Sequence, residues 1–445
     1  MVLVTRPALR RNPVGHASAD VEIVPAHVEF WPMPDSTEPT TPVPLLVPAD
    51  GVPPVIETAA GVRDAAERLA AGTGPLAVDA ERASGFRYSS RAYLVQLRRA
   101  GAGSFLLDPI PTAEDLEPLR DAINGLEWVL HSADQDLPCL AELGLEPAAL
   151  FDTELAGRLA GFERVGLAAI VERTLGLELR KGHGAADWST RPLPDAWLNY
   201  AALDVEVLLE LREAMATELA AQGKTEWAAQ EFEHVRLAGP PQPKPDRWRR
   251  TSQIHSLKSP RQLAAVRELW TTRDEIARKR DISPSRILPD SAIVTAASAD
   301  PKSIDTLRAL PVFGGPRQRR SSRIWLGALE RARALPQNEL PPVNQPFTGP
   351  PPPSRWAKRD PDAAARLATA KTGIAELSER VGVPVENLLS PDLVRRVCWE
   401  PPATPTTPDA EAAAAVDAAL AAGGARPWQR DLMVPILVEA LRAQA

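Results

Sequence analysis

Residues 75–82 read PLAVDAER. The run follows a Gly-containing turn, and its apolar start predicts a short buried strand over Pro75–Ala80. Side chains alternate between the two faces of a strand, so Asp79 and Glu81 point the same way. Two like charges at the end of a buried element repel unless a cation joins them. A hard divalent cation with oxygen ligands meets that need. For an isolated D-x-E pair, two solvated carboxylates at a strand end are the commoner outcome. The reading therefore turns on the surrounding sequence.

Working outward, Arg91–Arg98 (RAYLVQLR) alternates, and Gly103–Asp108 (GSFLLD) follows a second Gly-containing turn. With residues 75–80 they predict an antiparallel meander. Leu126–His131 (LEWVLH) and Ala149–Asp152 (ALFD) predict a fourth and a fifth strand. Helices are expected at Thr58–Ala71, Ala113–Ile123, Asp136–Leu143, Thr153–Ala160 and Leu167–Leu175. Asp195–Gln222 reads as one long amphipathic helix, with Leu198, Ala202, Val205, Leu208 and Leu209 on one face. Residues 53–239 thus predict an α/β unit, a mixed sheet flanked by helices.

Two further carboxylates stand out. Asp136 lies in HSADQDL (131–137), where a strand gives way to a helix. An Asp there ordinarily caps the first amides. Asp134 suits that role better than Asp136, because it precedes the helical register. In YAALD (200–204), Tyr200 and Asp204 lie four apart, on one face of a helix. That face is otherwise Ala and Leu, so both polar groups need partners, either each other or a shared ligand. Four carboxylates from a strand, a strand–helix junction and a late helix are suited to two Mg²⁺ or Mn²⁺ ions. Such a pair clamps the attacking and leaving oxygens of an in-line phosphoryl displacement.

The chain has 445 residues, with 51 Lys+Arg against 58 Asp+Glu, a net charge of −7. That length predicts two to four domains. The 46 prolines are about twice the average frequency of roughly 5%. Nine fall in residues 1–52 and eight in 336–353. Residues 1–52 are expected to be a disordered extension, with a short extended piece at Val21–Val24. Residues 240–255 and 336–354 are expected to be linkers. Residues 256–335 predict a small helical bundle, and 355–445 a second helical domain. No apolar run reaches the roughly 20 residues that span a bilayer. The first twenty residues lack a signal-peptide pattern. Cys139 and Cys398 are the only cysteines and lie far apart, against a disulfide framework or a cysteine zinc site. A cytoplasmic protein with no membrane partner is expected. Flexible linkers between compact units make a monomer the default expectation.

The net charge conceals a division. Residues 53–239 carry 17 basic and 30 acidic side chains, net −13; residues 240–340 carry 20 and 10, net +10. A basic helical unit suggests a polyanionic partner. Attraction between the two units is the plainer alternative.

Taken together, LAVDAERA, HSADQDL and YAALDVEVLLEL resemble the DEDD 3′→5′ exonucleases in their ribonuclease D branch. FDTELAGRL and KGHGAADWSTRPLPDAWLNYAALDV extend the resemblance, which covers about residues 53–235. Tyrosine four residues before the last Asp marks the tyrosine subclass; the histidine subclass would place His where Asn199 stands. Residues 256–335 resemble the helicase-and-RNase-D C-terminal (HRDC) domain, and 355–445 look like a second, divergent one. After Glu81 this family usually continues with a bulky aromatic or apolar residue, whereas this chain has Arg82.

The resemblance implies a ribonuclease H-like mixed-sheet exonuclease domain followed by two all-α HRDC-type domains. It implies that Asp79, Glu81, Asp136 and Asp204 bind two divalent ions, Mg²⁺ or Mn²⁺, that activate water and stabilise the leaving 3′ oxygen. Tyr200 would hold the attacking water in line. The product would be a nucleoside 5′-monophosphate from an RNA 3′ end, in processing or turnover of tRNA precursors or other structured RNA. His131 is assigned to the strand end, with a supporting place beside the metal ligands as the lesser option. Asp152 and Asp187 are assigned to helix capping or loop pinning. Arg317, Arg319, Arg320 and Arg323 would attract phosphates. Trp248, between Arg247 and Arg249, would either stack a base or dock as a linker aromatic on a neighbouring unit. Two other readings remain at this stage, an exonuclease on single-stranded DNA and a non-catalytic RNA-binding scaffold that retains the fold.

Overall fold

The computed structural model describes residues 41–179, 182–240, 242, 244–344 and 349–444. The strands are β1 (Val43–Leu45), β2 (Val55–Ile56), β3 (Thr73–Arg82), β4 (Ala92–Ala100), β5 (Gly103–Leu107), β6 (Glu127–Leu130), β7 (Ala149–Asp152) and β8 (Leu177–Leu179). Six of them form one sheet in the order β2-β5-β4-β3-β6-β7. β4 is antiparallel to both its neighbours, and the other pairs are parallel. The expected meander is β3-β4-β5, and β3 lies inside the sheet between β4 and β6.

Helices cover this sheet because its strands are apolar on both sides. Leu76, Ala77 and Val78 of β3 are buried, as are Trp128, Val129 and Leu130 of β6. Val62, Ala65, Ala66 and Leu69 of the helix Ala59–Ala71 join the same core. A second group, Tyr93, Leu94, Leu106, Trp188, Ala201 and Ala202, fastens the helix Asp195–Glu206 to the sheet near the acidic end of β3.

Several expectations need correction. Residues 1–40 lie outside the described residues, Val21–Val24 among them. The extension of 1–52 is ordered near its end. β1 pairs in parallel with β8, the Leu46 carbonyl accepts from Asn199 Nδ2, and the Ala49 amide donates to Glu206. Proline tolerates such a short two-stranded edge. The expected long helix is two, Asp195–Glu206 and Leu208–Ala221, joined at Val207. Val207 itself stays close to helical geometry (φ −96°, ψ −9°), so the amphipathic pattern runs through the joint unbroken.

The helical units pack directly on the exonuclease unit, and their linkers take part. Trp248 is only 5% exposed and belongs to the core formed around the helix Pro260–Arg280. Its indole N–H donates to Asp246. Pro341 and Pro351 are buried, and the Pro351 carbonyl accepts from the Trp356 indole. Near the C-terminus Trp428 stacks on Trp227, with ring centroids 4.9 Å apart and planes 16° apart. Glu231 accepts from the Trp428 indole at 2.8 Å and pairs with Arg426 at 2.6 Å. No helix among the described residues is long and apolar enough to cross a membrane.

Candidate active site

β3 delivers Asp79 and Glu81 to one end of the sheet, and the helix Asp195–Glu206 crosses that end carrying Tyr200 and Asp204. Carboxylate oxygens of Asp79, Glu81 and Asp204 lie within 4.8 Å of one another. Glu81 is buried; Asp79 and Asp204 are half-buried. Asp136 stands after β6, at the start of the short helix Leu137–Ala141, and is buried. These four acids, Tyr200, Arg82 and His131 line one cavity of about 510 Å³. That is room for one nucleotide-sized ligand on the scale of roughly 300–1,000 Å³ pockets.

Mass burial of acids shows in their affinity for protons. Burial pushes Asp79 up to about 6, against the opposing effects of the Ala80 amide and Arg82. Burial, followed by the charges of Asp79, Asp204 and Asp136, pushes Glu81 up to about 9. Asp136 and Asp204 are raised well above the carboxylate range, first by burial and then by Asp79. Burial also raises the Tyr200 phenol, which bonds to Asp204 and therefore keeps its proton. Oxygen acceptors thus crowd together with too few donors, and Asp136 Oδ1 is a buried atom without an aligned hydrogen bond. A hard divalent cation fits that donor set.

Capping in this region falls to Asp152, as its assignment from the sequence has it, and not to Asp134 or Asp136. Asp134 is exposed and caps nothing, and Asp136 makes no cap bond. Asp152 serves instead. It accepts from the Ser132 and Ala133 amides (3.2 and 2.8 Å) and from Glu154 and Leu155 at the head of its own helix. One carboxylate therefore ties the turn carrying Asp136 to the next strand–helix junction. Asp187 pins its loop through the amide and hydroxyl of Ser189. His131 Nδ1 lies 2.9 Å from Thr153 Oγ1, and burial lowers its pKa to about 4, so it is neutral.

Sequence reading missed two contributors. The 182–185 loop closes over the ring of Tyr200, and a Cβ at Gly182 would lie 2.6 Å from Tyr200 Cδ2. The glycines in KGHG were the available signal. Arg191 was the other. It donates to Asp108, to the Tyr93 carbonyl and to the Trp188 carbonyl, locking the DWSTRPL loop against β4. The four arginines at 317, 319, 320 and 323 are exposed and have no ion-pair partner among the described residues. Nothing brings Trp248 to a surface where it could stack a base.

Comparisons with known proteins agree with this geometry. Residues 53–220 match a 3′–5′ exonuclease family, 262–329 the HRDC domain, and 349–441 a C-terminal domain of 3′ to 5′ exonucleases. A ribonuclease D from Jannaschia sp. is 31% identical over 265 residues, which cover 58% of this chain and 68% of that protein. The chain belongs to the ribonuclease D family. Another ribonuclease D, from Gluconacetobacter diazotrophicus, is 30% identical over 73% of this chain and 81% of its own length. Among solved structures, a protein from Bifidobacterium adolescentis superposes with a TM-score of 0.83 at 38% identity, over 90% of this chain and all of that one. Escherichia coli RNase D, described as an exoribonuclease involved in structured RNA processing, gives 0.64 at 25% identity over 87% and 98%. As a member of this family, the chain is a hydrolytic 3′→5′ exonuclease with an acidic cluster of the kind that holds divalent metal.

Proposed function

We propose that the protein shortens RNA from its 3′ end, releasing nucleoside 5′-monophosphates, with two divalent cations, Mg²⁺ or Mn²⁺, held by Asp79, Glu81, Asp136 and Asp204. The observation that carries this reading is the convergence of Asp79, Glu81 and Asp204 within 4.8 Å on the wall shared with Asp136 and Tyr200. Bound cations would supply Lewis acidity for activating water and for stabilising the leaving oxygen. The protein's own part is orientation. Tyr200, its O–H given to Asp204 and its ring held by the Gly182 loop, would accept a hydrogen bond from the attacking water and hold it in line. The Asp152 bridge holds the Asp136 turn in place.

RNA is favoured over single-stranded DNA by the described role of E. coli RNase D. A tRNA precursor or another structured RNA is the substrate class this supports, for a monomeric cytoplasmic enzyme. In domain terms, we place the exonuclease unit at 53–239 with β1 added to it, and the two helical units at 256–335 and 355–445. Exposed arginines 317, 319, 320 and 323 would draw the RNA backbone.

The test is release of mononucleotides from 3′-hydroxyl RNA and matched DNA in Mg²⁺ and Mn²⁺. Asp204→Asn should cut turnover by more than about 100-fold, beyond the roughly 10–100-fold typical of residues that only support a metal ligand, with the far-ultraviolet circular dichroism unchanged. Binding of RNA without cleavage, indifferent to Asp204, would establish a scaffold instead. Faster cleavage of DNA would reassign the substrate.

A further inference from the structure

Arg82 should lie on the opposite face of β3 from Glu81, since successive strand residues alternate. It lines the acidic cavity instead. The pairing of β3 with β4 explains this. Glu81 faces Leu94 and Arg82 faces Ala92, so β4 carries one extra residue, Tyr93, at that step. A bulge of this kind bends the pair and re-aims the side chains beside it. Arg82 Nη2 thereby reaches Asp136 Oδ1 at 3.1 Å.

That contact is close in distance and poor in alignment. Asp136 Oδ1 is buried and makes no hydrogen bond of proper geometry. The Asp136 side chain is 7% exposed, whereas that of Arg82 is 27% exposed. One partner is fixed and the other has room to swing.

Charge counting shows what Arg82 is free to do. Four carboxylates line the cavity, and His131 beside them is neutral. Among the described residues that line it, Arg82 is the one permanent cation. Two divalent ions offset the four carboxylates and leave no positive charge over. An entering phosphodiester is an anion, and a guanidinium is suited to pair with two phosphate oxygens at once.

We propose that Arg82 is an exchanging counter-ion. In the metal-free protein it holds Asp136; once cations engage Asp136, it transfers to a non-bridging phosphate oxygen of the RNA and positions the 3′-terminal nucleotide. This rests on the nuclease reading above.

The experiment compares wild type with Arg82→Met, which keeps the stem and removes the charge, and with Arg82→Lys. Mn²⁺ binding to the RNA-free protein is measured by titration calorimetry. Binding of a 3′-hydroxyl oligoribonucleotide is measured by fluorescence anisotropy with Ca²⁺ in place of the catalytic cation. Arg82→Met should bind Mn²⁺ about tenfold more tightly and RNA about tenfold more weakly, as expected for loss of the partly buried ion pair with Asp136 in one state and of one charge-assisted hydrogen bond to phosphate in the other. Arg82→Lys should recover part of both. A merely structural role would weaken the two together. Unchanged or weaker Mn²⁺ binding, or unchanged RNA binding, in a folded Arg82→Met protein would overturn the proposal. Failure of the nuclease reading would show separately, as absence of mononucleotide release by wild type.

Discussion

Burial and the neighbouring acids push the pKa of Glu81 up to about 9 against 4.5 for the free side chain, and burial pushes that of Asp79 up to about 6 against 3.8. Between about pH 4 and pH 9 the folded metal-free protein therefore holds protons that the unfolded chain has released. The sign follows from linkage: stability from these groups is fully present below the unfolded values and is lost as pH rises through 6 and then 9. Divalent cations require the deprotonated acids, so their stabilising effect must grow over the same range. Melting the protein in EDTA and in excess Mg²⁺ should show a small gap at pH 5.5 and a wide one at pH 8.5. At a hundredfold excess over Kd, a metal contributes about 2.7 kcal/mol. A gap that narrows with rising pH would contradict the carboxylate cluster as the binding site. The facing of Asp79 with Glu81 and of Tyr200 with Asp204 was legible in the sequence, because D-x-E on a strand and Y-x-x-x-D on a helix each force two side chains onto one face, whereas Asp136 came through the resemblance of HSADQDL. The Arg82–Asp136 pair was not. It depends on an extra residue in the neighbouring strand, which breaks the alternation that any reading of residues 75–82 alone must assume.

The same bulge matters at the level of elements, since the segment between β3 and β4 is where the first helical unit attaches. Asp281, which ends the helix Pro260–Arg280 in left-handed geometry (φ 47°), accepts from the amides of Tyr88 and Ser89 at 3.2 and 2.9 Å and from the Tyr93 hydroxyl at 3.3 Å. Tyr88 in turn donates to Asp274 at 3.0 Å, and the Ser283 amide donates to the Phe86 carbonyl. Hydrogen bonds to a charged group contribute roughly 1.5–3 kcal/mol each, with wide variation by context. Asp281 is partly exposed, so its three bonds add up to less than that sum, and Asp281→Ala should destabilise by about 3 kcal/mol in urea unfolding and expose the 84–91 segment to limited proteolysis. Asp281→Asn should cost less, because Asn also tolerates the left-handed conformation and retains one acceptor oxygen. A loss below about 1 kcal/mol from Asp281→Ala would show that these bonds do not hold the joint. Elements with local signals matched expectation well: β7 and the helix Leu167–Leu175 occupy the residues their patterns predict. Those set by distant partners did not. β1 is three residues in a proline-rich segment, and its strand character comes from β8, more than a hundred residues away. The joint at Val207 was invisible because no Gly or Pro marks it and the apolar face continues across it.

At the scale of the whole molecule, the division between an acidic exonuclease unit and a basic helical unit invites a simple electrostatic explanation, that the two halves attract. The ion pair at the observed joint uses the opposite signs. Arg91, from the acidic unit, meets Asp281 of the basic unit at 3.5 Å, and Asp274 of the basic unit accepts from the Tyr88 hydroxyl. The ion pair in this contact joins minority charges, while Arg278 and Arg286 of the basic unit meet neutral partners, the Tyr88 hydroxyl and the Gly85 carbonyl. Arg317, Arg319, Arg320 and Arg323 are exposed on the helices Pro316–Arg320 and Ser322–Ala334, without ion-pair partners among the described residues. A surface of that kind, on a chain whose catalytic cavity is lined by carboxylates, is suited to holding a polyanion that the cavity alone would repel. Replacing all four by alanine should leave the melting temperature nearly unchanged, since exposed positions away from packing contribute within about 0.5 kcal/mol each. RNA affinity should fall, and so should its salt dependence. For a single strand each lost phosphate contact lowers the slope of log K against log salt by about 0.7. Loss of all four contacts would thus flatten the slope by about 3, and turnover at saturating RNA would hold, because the acids and Tyr200 are untouched. An unchanged slope in a folded quadruple variant would remove the basic unit from the RNA path and leave its net charge of +10 without a polyanion to bind.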